Sequence, residues 1–204
     1  MEAFFEYLNS LSLISLFLLF LLENISLAVI AVTLGFVFDD LVKEMMRLIT
    51  KQEIYWACST IFFNTVVTVT GYLLFKYGFI VFHLDFDLIE ILVDLVVLTL
   101  AMPHLGLWHT ERNLLSLFHW AVRKLSFLYT YHDLHHHYST PTAISLFVLH
   151  PIEVLGFGAL WLFLLNGIDF SIYAVMLYLT FNVAMGIIGH LRKEFVPVAL
   201  KNNV

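Results

Sequence analysis

Residues 11–38 of the chain read LSLISLFLLFLLENISLAVIAVTLGFVF, an apolar run that contains a single charged residue, Glu23. A helix of about 20 apolar residues crosses the hydrocarbon core of a bilayer, so this run predicts a transmembrane span. The bias extends through all 204 residues, of which 61% are hydrophobic and 13% charged. Soluble domains have roughly 45–50% and about 25%. The composition excludes a disordered chain and an ordinary soluble globule, and it predicts a polytopic membrane protein.

Cysteine content, charge and the N-terminus narrow the class further. The single cysteine, Cys58, excludes an intramolecular disulfide and a thiolate metal cluster. A formal net charge of −6 is unlike the basic patch that a nucleic-acid-binding protein needs, so no nucleic acid is expected as a partner. Residues Met1–Ser10 contain Glu2 and Glu6 but no Lys or Arg, so no cleavable signal peptide is expected.

The apolar runs predict an all-α bundle of five membrane spans, forming one membrane domain over residues 1–204. The runs are Leu11–Phe38, Ile54–Phe82, Leu88–Trp108, Thr142–Leu165 and Phe170–Ile188. A four-span bundle, with one apolar stretch lying in the interface or re-entering the membrane, is the alternative. The segment Asp39–Glu53 between the first two runs is amphipathic and is expected to form an interfacial helix.

The basic residues are distributed asymmetrically along this predicted bundle. Nine of the ten Lys and Arg residues lie in the Asp39–Glu53 segment, in the histidine-bearing region after the third run, or in the C-terminal tail. Five alternating spans place these three segments on one side of the membrane. The positive-inside rule then predicts an outside N-terminus and a cytoplasmic C-terminus.

The histidines converge on the same predicted side. Eight of the ten lie between His104 and His150, and the densest cluster is His132-Asp-Leu-His135-His136-His137. On a helix, His132, His135 and His136 would share one face, because residues three and four apart are neighbours. Neutral imidazole suits Fe, Zn and Cu, so this cluster predicts a metal site. A solvated histidine run is the alternative.

These motifs resemble the fatty acid hydroxylase / sterol desaturase superfamily, which are membrane-bound di-iron oxygenases with histidine boxes. The likeness rests on His132-x-x-His135-His136, the following Pro141, and the element His150-Pro151-Ile-Glu153. Downstream, Asn182 and Gly189-His190 resemble the family's Asn…Gly-His element. The similarity covers roughly Leu115–Pro197, and the histidine-bearing, family-like region is 104–190. The spacing of Pro141 and of the His-Pro-x-Glu element places it nearest the sterol-modifying members.

The resemblance implies a set of metal ligands. The positions that match the family are His119, His132, His135, His136 and His190, and His104 and His109 are candidates to complete the set. His150 is an additional or second-shell candidate. Glu153 is a candidate to orient a ligand imidazole, with a helix N-terminal charge as the alternative, and Asn182 belongs to the same supporting group.

Two positions depart from the family pattern. The first box, H-x-x-x-H, would be His119-Trp-Ala-Val-Arg123, in which Arg123 replaces the second histidine, and the upstream acidic residue would be Glu111. A guanidinium cannot bind a metal ion. The family's C-terminal HxxHH box does not occur before Val204. The sequence therefore leaves two expectations open, an active enzyme completed by His104 and His109, or a truncated or degenerate relative without oxygenase activity.

The implied activity is O₂-dependent hydroxylation or desaturation of a sterol or fatty-acyl lipid. It requires two non-haem Fe ions and an external reductant such as a cytochrome b5-like or ferredoxin-like protein, because no side chain alone cleaves an unactivated C–H bond. A membrane b-type cytochrome, with paired histidines on haem, is a less favoured alternative.

Overall fold

The computed structural model of the protein describes residues 2–42, 49–105 and 143–189. As the sequence predicts, most of these residues are helical. The helices are α1 (Glu2–Ser10), α2 (Leu13–Val42), α3 (Lys51–Lys76), α4 (Leu88–Leu105), α5 (Pro151–Gly167) and α6 (Ile172–Gly189), with a 3₁₀ turn at Ala143–Phe147 and two short strands, β1 (Phe82–His83) and β2 (Phe170–Ser171).

Two of the described helices are long and apolar enough to cross a membrane. They are Leu13–Val37 within α2, with a mean hydropathy of 2.4, and Lys51–Lys76, with a mean hydropathy of 1.5. Helices α5 and α6 are shorter and also apolar. The structure thus agrees with the prediction of an all-α, membrane-type chain and supplies two candidate spans.

The helix boundaries differ from the apolar runs at two places. Helix α5 begins at Pro151 rather than near Thr142, because His150 adopts an extended conformation (φ −74°, ψ 142°) and caps the helix. Proline at the first helical position has no N–H to leave unpaired. In the segment predicted as an interfacial helix, α2 continues through Val42 and α3 begins at Lys51, while residues 43–48 lie outside the described part.

The helices after α2 form two helix–strand–helix units. The first unit contains α3, β1 and α4, and the second contains α5, β2 and α6. The two strands pair in parallel, with Phe82 opposite Phe170 and His83 opposite Ser171. We call this strand pair the seam.

Helices α3 and α5 run parallel and pack closely. Near the start of α5, the Thr60 hydroxyl in the third turn of α3 donates to the carbonyl of Leu149 (3.3 Å). Further along, Gly158 faces Val67, and Gly71 faces Leu162. Helices α4 and α6 both leave the seam and pack on each other through Ile91, Leu98, Ala174, Val175 and Tyr178, which belong to one buried cluster.

Helix α2 runs antiparallel to α3. Its N-terminal part packs against the C-terminal part of α3 through Leu16 and Tyr72, and the Tyr72 hydroxyl donates to Asn9 (2.9 Å). At the other end of the bundle, Gly186 of α6 lies against Leu146, just before α5 begins.

These directions bring five helix ends together. Helices α2, α4 and α6 end, and α3 and α5 begin, at the end of the bundle opposite the seam. We call it the His104 end, because His104 lies in the last turn of α4.

Candidate functional site

An apolar groove lies between α2, α3 and the 3₁₀ turn. Its volume is about 310 Å³. The residues that line it are Ile25, Ala28, Val29, Val32, Thr33 and Phe36 from α2, Ile54, Ala57, Cys58 and Ile61 from α3, and Ile144 and Phe147 from the turn. The α2 residues recur at helical spacing, so they form one face. The groove is large enough for a small ligand, since such sites usually measure about 300–1,000 Å³.

The groove lies close to the His104 end. Phe36 precedes the end of α2 by about 9 Å at a rise of ~1.5 Å per residue. On α3, Ile54 lies in the first turn. The floor contains small side chains, and Ala28 and Ala57 are only 6% and 5% exposed.

Beside the groove, α3 and α5 begin with the same capping arrangement. At Thr50, the hydroxyl accepts the backbone N–H of Glu53 (3.2 Å), and the Glu53 carboxylate accepts the backbone N–H of Thr50 (2.8 Å). Both helices therefore present a buried glutamate at their third position, because Glu153 occupies the equivalent place in α5 and is 3% exposed. A carboxylate at a helix N-terminus is stabilised by the helix dipole.

His150 takes the place of the capping threonine in α5. Its Nδ1 accepts the backbone N–H of Ile152 (3.3 Å), and its own backbone N–H donates to Glu153 (3.1 Å). In the neutral ring, this bond to Nδ1 places the proton on Nε2. Burial lowers the pKa of His150, and the nearby Glu153 carboxylate opposes that shift. The ring also packs against Trp56, with centroids 5.6 Å apart.

The three supporting residues of the predicted site therefore have defined positions. In these contacts, His150 and Glu153 cap the N-terminus of α5. For Glu153 this is the alternative role predicted from the sequence, a charge at a helix N-terminus. Asn182 lies in α6, one turn after Tyr178. Tyr178 stacks on Trp161, at a centroid distance of 5.9 Å.

Most predicted metal ligands fall outside the described residues. These are His109, His119, His132, His135, His136 and His190. Arg123 and Glu111, which bear on the first box but are not predicted ligands, also lie outside the described residues. Among the described residues, no three His, Cys, Asp or Glu side chains are grouped so as to hold a metal ion. The described part of the chain still bears on the site, because the chain leaves it after Val42, Leu105 and Gly189, each time at the His104 end.

The donor set fits iron in its chemistry. Seven imidazoles are available in the predicted ligand set, and neutral imidazole is a suitable ligand for non-haem iron. The segment with most of these histidines leaves the described region after Leu105 and re-enters it at Ala143, both at the His104 end. His190 directly follows the end of α6 at the same place.

The seam end carries a different group of charged residues. His83 hydrogen-bonds Glu90 through Nδ1. This bond and the Glu90 charge raise the pKa of His83, with smaller contributions from Asp169 and Asp94. Asp94 accepts the backbone N–H of Ser171 at 2.7 Å, so it fastens the second unit to the first.

One feature of the His104 end is not apparent from the sequence, and a second is encoded in it. The groove depends on which faces of α2 and α3 meet, and neither helix has a marked polar face that would indicate this. The paired capping boxes are encoded, as Thr50-x-x-Glu53 and as His150-Pro-x-Glu153, and the first has the usual threonine-to-glutamate spacing. That local signal could have located both helix starts.

Comparison of the chain with protein-family models, with curated proteins and with solved structures gave no match.

Proposed function

We propose that the protein is a membrane-bound, O₂-dependent di-iron oxygenase that hydroxylates or desaturates a sterol or fatty-acyl lipid. The observation that carries this proposal is the His104 end. There, the helix ends that border the histidine-bearing segments adjoin an apolar groove of about 310 Å³. A site that oxidises a lipid needs these two features side by side.

The proposed topology has five spans, α2 to α6, with the His104 end in the cytoplasm and the seam outside. It is supported by the alternating helix directions, because the chain reaches the His104 end each time one of the three segments richest in Lys and Arg begins. This orientation makes the site accessible to a soluble electron donor, such as a cytochrome b5-like or ferredoxin-like protein.

The iron ions would be held by His119, His132, His135, His136 and His190, with His104 and His109 completing the set. Bound iron supplies the activation of O₂ that C–H oxidation requires. The chain's own residues have other tasks. The groove binds the apolar part of the substrate and excludes water from it.

The capping residues contribute to this site by fixing the backbone at its border. Glu53 and Glu153 each bind the N–H group of the capping residue, which fixes the direction in which the chain enters α3 and α5. His150 keeps its Nδ1 on the backbone of α5, and its ring packs on Trp56 of α3. These contacts hold the starts of the two helices together beside the groove.

The first test is the metal content and the absorption spectrum of the protein purified in mild detergent. We expect about two irons per chain and no Soret band, since the predicted ligands are imidazoles of a non-haem site. The substitution His135→Ala should remove most of the iron. His83→Ala is the matched control and should retain it, because His83 lies at the seam end.

Two outcomes would contradict the proposal. A folded protein with little or no iron would favour the alternative, a relative without oxygenase activity. That alternative is supported by Arg123 in the first box and by the engagement of His150 in helix capping. A Soret band would instead indicate a b-type cytochrome.

A further inference from the structure

We infer that the groove between α2, α3 and the 3₁₀ turn binds one linear acyl chain of a membrane lipid in preference to a sterol ring system. This inference rests on the proposed function, because it selects between the two substrate classes named there. It also identifies Ala28 and Val29 as residues that determine the width of the groove available to the acyl chain.

The length of the groove matches a linear chain. Its lining on α2 extends from Ile25 to Phe36, which is about 16 Å at a rise of ~1.5 Å per residue. An extended chain of single bonds advances about 1.2 Å per bond, judged from the ~3.3–3.6 Å per residue of an extended peptide with three bonds. The groove is therefore about 13 carbons long.

The volume leads to the same size. A cavity of about 150 Å³ accommodates one benzene molecule, so the groove's capacity is on the order of twelve carbon atoms. Twelve carbons spread over 16 Å can only be arranged as a narrow file. A sterol has more carbon atoms in its fused rings and is wider, so its rings would extend out of the groove on the open side, whereas a linear chain fits along the lining.

The lining is apolar along this length and includes exposed side chains. Thr33 and Cys58 are the only lining residues with a hydroxyl or thiol group. Ile25, Val29 and Ile54 line the groove and are also 41%, 59% and 48% exposed, so the groove has an open side. In the proposed topology this side faces the bilayer, and an acyl chain of a neighbouring lipid can enter without leaving the hydrocarbon.

The orientation of the groove connects the bound chain to the proposed chemistry. One end of the lining, at Phe36 and Ile54, is close to the His104 end, and the other, at Ile25 and Ile61, is further towards the seam. A lipid with its headgroup at the membrane surface of the His104 end would place its first carbons beside that surface. Its distal carbons would lie along Ala28.

Cys58 provides a direct probe, because it is the only cysteine, lines the groove and is exposed. The experiment measures the rate at which N-ethylmaleimide alkylates Cys58 in dodecyl maltoside micelles. Dioleoylphosphatidylcholine is titrated in one series and cholesterol in the other. We expect the phospholipid to slow alkylation about tenfold at ten times its Kd, since occupancy protects by the factor 1 + [L]/Kd. Cholesterol should leave the rate unchanged.

Matched variants identify the groove as the place of binding. Ala28→Phe fills the floor and should abolish the protection by phospholipid. If that variant does not fold, Val29→Phe narrows the exposed wall and should have the same effect. Leu27→Phe, on the same helix but not in the lining, should keep full protection. Leu92→Cys in a Cys58→Ser background places the reactive thiol on an exposed face of α4, where it should not be protected.

Either of two results would overturn the inference: equal protection of Cys58 and of the cysteine at position 92, or equal protection by cholesterol and phospholipid. The assay needs neither iron nor O₂ nor a reductant, so it is independent of the oxygenase proposal. Protection in a protein without iron would leave the acyl groove in place and reject the oxygenase. An iron-loaded protein without protection would do the reverse.

Discussion

The two helix–strand–helix units share a backbone plan but differ in their side chains. Both begin with a capped helix at the His104 end, pass through a strand of the seam and return. The first unit is capped by Thr50 and the second by His150, and α3 has 26 residues where α5 has 17. The common plan is built from backbone hydrogen bonds, which many sequences can make. The two units differ instead in individual side chains, such as the capping residues Thr50 and His150.

The largest expected difference lies in the interface between α3 and α5. A Cβ atom at Gly158 of the second unit would lie 2.4 Å and 2.7 Å from the two Cγ atoms of Val67. Valine is stiff at χ1, so it cannot turn away easily. We expect Gly158→Ala to lower the free energy of unfolding by about 2–3 kcal/mol, measured with denaturant in detergent micelles.

Gly71 is the matched control, because it faces the same interface from the first unit. A Cβ at Gly71 would lie 2.9 Å from the end of the Leu162 side chain, which can move. Alanine is also preferred over glycine in helices by about 1 kcal/mol, so Gly71→Ala should be near neutral. Placing Gly158→Ala in a Val67→Ala background should restore much of the stability. Equal losses at Gly71 and Gly158 would show that the two sides of the interface are not different.

A smaller effect is expected where the units are joined. Asp94 of the first unit accepts the N–H of Ser171 of the second, and Ser171 is fully buried. Asp94→Ala leaves that N–H without its acceptor and should cost about 1–2 kcal/mol of unfolding free energy, as for other buried donors that lose a partner. Asp94→Asn should cost less, because its amide oxygen still accepts. A loss no larger than that of the exposed control Asp169→Ala would contradict this assignment.

The smallest effect concerns His83, for which the second unit has no equivalent. Its pKa is raised by Glu90, so its contribution to stability is fully present below the unfolded-state value of about 6.5. That contribution is lost as the pH rises through the higher folded-state pKa. The pair is exposed, so the decline should be only a few tenths of a kcal/mol. Thermal unfolding measured from below pH 6.5 to above the folded-state pKa should show this decline in stability in the native protein and not in His83→Gln. An equal dependence of the melting temperature on pH in both proteins would refute the assignment.

The sequence predicts the membrane-type helices well and their boundaries less well. Apolar runs predict α2 and α3, because about 20 such residues are needed to span a bilayer. The same criterion misplaces the start of α5, since residues Thr142–Leu149 are as apolar as the helix that follows. Pro151 at the first helical position and Glu153 at the third are the local signals that mark the true start.

The repeated arrangement of the two units was not predicted, and the physical reason is clear. Phe82–His83 and Phe170–Ser171 have little in common as sequences, and their pairing depends on backbone groups that every residue carries. The groove is equally hidden, because the run at Leu13–Val37 has no polar side to indicate which face is buried. The metal ligands other than His104 lie outside the described residues and remain a sequence prediction.

The seam also has a consequence for how the chain assembles. Its contacts join residues far apart in sequence: Asp94 and Ser171 are 77 positions apart, and Phe82 pairs with Phe170. Such contacts form late, because a long loop must close before they can be made. During synthesis β1 therefore stays unpaired until the ribosome has produced β2. The histidine-rich segment lies between β1 and β2 in sequence, so it is synthesised before the seam can form.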